Sequence, residues 1–258
     1  MKPVFGINRE KHNKLFYMEY KNDWGTFQFH SPIELYFIDD GEMEITVNHT
    51  RKILSAGQMS VALSYDAHAY KTPEYSRSSL FIIPTYMCKD FLEVLKDKQV
   101  TDPFILDRNT VAKIKEYVLE TQKENINPIT LSGFIHVILG TVMDNISFQK
   151  VHKPTDTDLA SNLLFYINEN YKEDISLKTV AQHFGFAASY ISRYFKESFN
   201  IGFNKYVNIL RLKNALLLMK ENKNSITYCA MESGFNSLRT FYRAFYEEFG
   251  CTPKQYMK

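Results

Sequence analysis

Residues 175–199 read ISLKTVAQHFGFAASYISRYFKESF, and residues 226–249 read ITYCAMESGFNSLRTFYRAFYEEF. In the first stretch Leu177, Val180, Ala181 and Phe184 recur at i, i+3, i+4 and i+7, which is one face of an α-helix. Gly185 then permits the left-handed backbone that ends a helix sharply. A second helix follows, with Ile191, Tyr194, Phe195 and Phe199 expected in the core and Ser189, Ser192, Arg193 and Lys196 on its other face. The second stretch repeats the design. Ile226, Cys229, Ala230 and Ser233 take the same spacing, Gly234-Phe235 answers Gly185-Phe186, and Arg243-Ala244-Phe245 answers Arg193-Tyr194-Phe195. One extra residue sits in the second turn. Between the copies, residues 204–221 carry Val207, Leu210, Leu217 and Leu218 at helical spacing, a helix long enough to hold the two units apart. Short helix, glycine turn, then a helix with a polar and arginine face is the helix-turn-helix pattern, here written twice.

Charge follows the same division. The chain of 258 residues carries +2 overall. From Asp158 onward, thirteen Lys/Arg stand against nine Asp/Glu, a net of +4, and the remainder carries −2. A basic tail on a slightly acidic body points to a polyanion at that end.

Upstream the period changes. To about residue 86 it is two: Phe27 and Phe29 point one way in TFQFH (26–30), Gln28 and His30 the other, and Met43, Ile45 and Val47 share a face in MEITV (43–47). Asp39-Asp40-Gly41, Asn48-His49, Ala56-Gly57, Tyr65-Asp66 and Lys71-Thr72-Pro73 read as turns between strands, giving an antiparallel sandwich or barrel. Helices are expected over 109–123 and 129–149. In the second, Leu131, Phe134, Ile135, Ile138 and Val142 form a wide stripe that predicts pairing with a second copy or packing on the barrel. The polar segment KVHKPTDTD (150–158) reads as a linker. The expected class is therefore α+β: residues 1–149 with a barrel over 1–86 and helices over 88–149, the linker, and an all-helical domain over 159–258.

Several classes are excluded or disfavoured. Forty-five per cent hydrophobic residues rule out a wholly disordered chain. Cys88, Cys229 and Cys251 are odd in number and far apart, which predicts reduced thiols in a cytoplasm. MKPVFGINREKHNK lacks the apolar core of a signal peptide, and LSGFIHVILGTVM (131–143) is too short to span a membrane. No GxGxxG, P-loop, GxSxG or HExxH motif occurs, so no catalytic residue is assigned and an enzyme is not expected. His136 and His183, each on an expected helix, read as ordinary.

Residues 159–258 resemble the DNA-binding domain of the AraC/XylS family of bacterial transcription regulators. The resemblance is carried by VAQHFGF (180–186), SYISRYFKESF (189–199), RLKNALLLM (211–219) and above all GFNSLRTFYRAFYEEFGCTPKQY (234–256). It implies seven helices, with the second helix of each unit in the major groove. By position it implies DNA contacts from Ser189, Ser192, Arg193 and Lys196, and from Leu238, Arg239, Tyr242 and Arg243. Ala187 stands where a capping Ser or Thr is usual, and Leu238 can touch a thymine methyl but cannot hydrogen-bond a base. The implied partners are double-stranded DNA, a small-molecule effector and a second copy of the chain, with RNA polymerase open as a further one.

Residues 1–86 more weakly resemble the cupin-like sensor domain of such regulators, through His30-x-x-x-Glu34-x6-Gly41, Gly57 and His68. Gln28 stands where metal cupins have their first histidine. Gln28, His30, Glu34, Tyr36 and His68 are candidates for an effector pocket, with a carbohydrate as first guess. Gln28, His30, Glu34 and His68 could instead hold a divalent transition metal, which would make the chain a cupin metalloenzyme fused to a DNA-binding tail, or the cluster could only satisfy itself inside a ligand-independent regulator. The pocket is the reading carried forward, with no cofactor and no metal assigned.

Overall fold

A computed structural model describes residues 4–6, 9, 14–95, 98–150, 156–199, 201–220 and 225–257. They form two compact units, residues 1–153 and 154–258.

The first unit is organised by one long strand. Strands β1 (Val4–Phe5), β2 (Phe16–Lys21) and β3 (Trp24–Phe29) precede β4 (Ile33–Val47), and β5 (Thr50–Ser55), β6 (Met59–Ala62), β7 (His68–Lys71) and β8 (Ser76–Ile83) follow it. The first half of β4 pairs with β6 and β8, the second half with β5 and β7, all antiparallel. β3 adds to β7, and β1 adds parallel to β3. Asp39-Asp40-Gly41, expected as a turn between strands, is instead an irregularity inside β4, where the pairing to β8 shifts register. Gly41 takes φ +74 there, and a Cβ would collide with the Tyr75 carbonyl.

That irregularity inverts the side-chain phase. Before it, Ile33, Leu35 and Phe37 face the helices of this unit, while Tyr36 and Ile38 face the other way; after it, Met43, Ile45 and Val47 join Tyr36 and Ile38. β4 is thus buried on both faces along its first half. Hydrogen bonding runs along an open path from β1 to β10 (Phe104–Ile105), so the expected cupin-like barrel is not closed among the described residues.

Helices α1 (Lys89–Val94), α2 (Arg108–Glu120) and α3 (Pro128–Asn145) cover the outer face. Asp107 and Asn127 cap α2 and α3 by accepting from the Thr110 and Thr130 amides. The helix expected over 129–149 stops at Asn145. Ser147–Lys150 is strand β11, paired antiparallel with β9 (Lys98–Asp102), because a partner strand distant in sequence competes for those backbone groups. Ile135, Ile138 and Val142 are fully buried against the unit's own sheet, and Leu131 and Phe134 are half-buried. The stripe that motivated pairing with a second copy is therefore spent on the unit's own core; the outward face of α3 carries Ile129, Gly133, Val137 and Gly140. Of the linker expected over 150–158, Lys150 ends β11, Asp156 begins a helix, and residues 151–155 lie outside the described residues.

The second unit contains seven helices among the described residues: α4 (Asp156–Asn170), α5 (Leu177–Phe184), α6 (Ala188–Phe199), α7 (Phe203–Lys220), α8 (Ile226–Glu232), α9 (Leu238–Phe249) and α10 (Pro253–Tyr256). α7 spans 18 residues, about 27 Å at 1.5 Å per residue. It buries Leu210, Leu212, Ala215 and Leu216 among others, so both helix pairs are hung on one rod.

Candidate functional site

Each helix pair is built by local chemistry. In the first, Ser176 and Thr179 form a reciprocal capping box at the start of α5, and Gly185 ends that helix at φ +73. The chain turns into α6, whose Ile191, Phe195 and Phe199 are buried. That burial leaves Ser189, Ser192, Arg193 and Lys196 all exposed along one face. In the second pair, Ser225 caps α8, Gly234 turns at φ +88, and Ser237 caps α9 by accepting from the Thr240 amide. Phe241, Ala244 and Phe245 are buried, which exposes Leu238, Arg239, Tyr242 and Arg243. All eight expected contact residues therefore stand on the outward faces of the two second helices.

Two side chains depart from expectation or escaped it. Tyr194, expected in the core beside Phe195, is half-buried and continues a stack with Tyr190 and Phe186 at centroid separations of 6.0 and 5.0 Å. Its register places it on the edge of the buried stripe. Tyr246 is 62% exposed and extends the α9 face one turn beyond Tyr242; the i+4 spacing from Tyr242 was the signal for it.

Behind these faces lies a structural anchor inside the RLKNALLLM segment. Arg211 donates from Nε to the Tyr171 carbonyl at 2.7 Å and from a terminal nitrogen to the Glu173 carbonyl at 2.9 Å. It also lies 5.9 Å over the Phe235 ring. One buried guanidinium thus ties the segment after α4 to the turn of the second pair.

The polar candidates of the first unit converge as well. Glu34, His30 and His68 are buried, with Glu34 Oε1 at 3.1 Å from His30 Nε2 and Oε2 at 3.3 Å from His68 Nε2. Tyr70 donates its hydroxyl to Glu34 at 3.0 Å, and Arg9 approaches the same carboxylate at 3.6 Å. Burial opposes the charge on Glu34, but His68 and His30 outweigh it and hold the carboxyl well below its ordinary range. Burial likewise opposes charge on His68, and Glu34 outweighs it, raising that imidazole. Both Nδ1 atoms face backbone carbonyls, Pro32 for His30 at 3.2 Å and Asp66 for His68 at 2.8 Å. A carbonyl only accepts, so each Nδ1 carries a proton and each Nε2 is bare in a neutral ring. A bare Nε2 facing a carboxylate needs either a second proton or a cation between them.

The remaining two candidates sit at the margin of this cluster. Tyr36 donates to Asp23 at 2.6 Å, contacts Ser78 Oγ at 2.9 Å and stacks on Tyr70 with centroids 3.9 Å apart. Its hydroxyl is already engaged. Gln28 is half-buried and pairs in register with His68 across β3 and β7. Tyr70 and Arg9 were missed: Tyr70 is two residues from His68 on the same strand face, a period-two signal, whereas nothing local marks Arg9.

A family profile described as a helix-turn-helix domain matches residues 180–258. An uncharacterized HTH-type transcriptional regulator of Staphylococcus aureus (strain COL) is 30% identical over 148 residues, 57% of this chain and 18% of that protein. The melibiose operon regulatory protein of Escherichia coli (strain K12) is 21% identical over 261 residues, 90% of this chain and 83% of that one. Residues 180–258 are a helix-turn-helix domain of the kind such transcription regulators carry. The chain spans less than a fifth of the length of the staphylococcal relative. Among solved structures, ToxT from Vibrio cholerae aligns over 95% of the chain and 98% of its own at 15% identity and a TM-score of 0.44. No helix among the described residues is long and apolar enough to cross a membrane.

Proposed function

We infer that this protein is a regulator of transcription of the AraC/XylS type, binding specific DNA sequences in the cytoplasm, and not an enzyme. The observation that carries this is the pair of exposed faces: Ser189, Ser192, Arg193 and Lys196 on α6, and Leu238, Arg239, Tyr242 and Arg243 on α9. Each face stands on the second helix of a helix-turn-helix, the element that enters the major groove. The two helices would occupy successive major-groove turns about 34 Å apart on one side of the duplex. Fluorescence anisotropy of the full chain on duplexes selected from random sequence tests this. Affinity is expected to fall steeply with salt as counterions are released. A folded chain that enriches no duplex would overturn the function.

The first unit is proposed to sense a small polar effector through Gln28, His30, Glu34, Tyr36 and His68, with a carbohydrate first because the melibiose operon regulatory protein is a relative. His30→Ala with His68→Ala should abolish an effector's influence on DNA affinity and leave affinity without effector unchanged. Pairing with a second copy and contact with RNA polymerase belong to the same proposal. A second reading of the cluster rests on one observation: the nearest ligand atoms of His30, Glu34 and His68 all lie within 4.8 Å of one another. With both Nδ1 protons on carbonyls, that donor set fits a divalent transition metal. Elemental analysis of the purified chain separates the two, since a stoichiometric metal lost in the double variant favours the second.

A further inference from the structure

We propose that α9 reads thymine through its C5-methyl group, with Leu238 as the contacting side chain, so that the half-site facing α9 is marked by methyls and the half-site facing α6 is not. This rests on the DNA-binding reading above. Leu238 is the first residue of α9, directly after the Ser237 cap, and is 36% exposed. Phe241, Ala244 and Phe245 fill the inward face, so Leu238 stands outside the core. Tyr242 and Tyr246 continue the apolar stripe at i+4 and i+8, 42% and 62% exposed. The Tyr242 ring meets Phe241 edge-on at 5.5 Å, which steadies it at the surface.

Arg239 and Arg243 lie beside this stripe, both exposed, and the only carboxylates of α9, Glu247 and Glu248, come in its last turn. The first two turns of the helix therefore present apolar surface edged by guanidiniums and free of acid. An occupant must offer anionic rails with apolar points between them. The major groove does so, with phosphates along its borders and the thymine methyl as its one apolar base-edge group. On α6 the positions matching Leu238, Tyr242 and Tyr246 are Ala188, Ser192 and Lys196, which offer no comparable apolar stripe.

The test uses duplexes enriched by the full chain, with each thymine replaced in turn by uracil, which removes only the methyl. Wild-type protein should lose about fourfold in affinity at one or two thymines of a single half-site, the effect of burying one methylene-sized group. Leu238→Ala should lose the same factor on the thymine duplex and bind thymine and uracil duplexes alike, whereas Leu238→Met should retain the discrimination. Arg239→Ala assigns the half-site, since it relaxes base preference only beside α9. Uracil neutral at every position, an undiminished penalty in Leu238→Ala, or a penalty confined to the α6 half would each overturn the proposal. Failure to enrich any duplex would instead overturn the DNA-binding reading beneath it.

Discussion

Helices α6 and α9 are each twelve residues long and are inserted into the same fold, yet they differ almost everywhere that solvent can reach. Inward, Ile191, Phe195 and Phe199 correspond to Phe241, Phe245 and Phe249. Outward, Ser189, Ser192 and Lys196 correspond to Arg239, Tyr242 and Tyr246, while Arg193 agrees with Arg243 and Glu197 with Glu247. The inward set is constrained by packing against a shared rod, α7, and the outward set is free of that constraint. Divergence greatest in the outward set is what two readers of different half-sites require.

The supports differ too. Gly185 has open space where a Cβ would stand, whereas at Gly234 a Cβ would lie 2.6 Å from the Lys172 carbonyl oxygen. α9 has Ser237 as its cap, while α6 is preceded by Ala187, whose carbonyl accepts from the Ile191 amide but whose side chain can accept nothing. The second helix pair is the more tightly determined of the two.

The largest expected effect separates the glycines. Gly234→Ala should destabilise the helical unit by about 3 kcal/mol, from left-handed strain plus the backbone collision. Gly185→Ala should cost about 1 kcal/mol, from strain alone. Urea unfolding followed by far-UV circular dichroism measures both, and equal costs would break the contrast. Next come the arginines. Arg193→Ala and Arg239→Ala should each weaken binding to the preferred duplex by about 1–3 kcal/mol and flatten base preference in one half-site only. Competition with singly substituted duplexes shows whether the halves are separate; loss spread over both halves would mean the helices do not read independently. Smallest are the caps. Ser237→Ala should cost about 1 kcal/mol, and Ala187→Ser should gain up to about that much, so that the pair of substitutions inverts the asymmetry. Thermal melting of the two variants decides it, and a destabilised Ala187→Ser would show that α6 starts elsewhere.

The helix-turn-helix pairs were legible along the chain because every signal they need is short-range. Apolar spacing at i+3 and i+4, a glycine that tolerates positive φ, and a serine before a helix act within a few residues, and helix hydrogen bonds close within four. The outward faces followed from the same periodicity, since what is not buried on such a helix is exposed. Tertiary structure alone decided the rest. Residues 147–150 became strand and not helix because β9, some fifty residues earlier, offered its backbone. The inversion of phase within β4 came from one extra residue between Ile38 and Asp40, just before Gly41 at positive φ, which no pattern of two could show. His30, Glu34 and His68 were readable as candidates, but that both imidazoles spend one nitrogen on a carbonyl and turn the other to a single carboxylate was not. Strand partners and buried polar contacts are chosen across long loops, where the sequence between the partners carries no record of the distance between them.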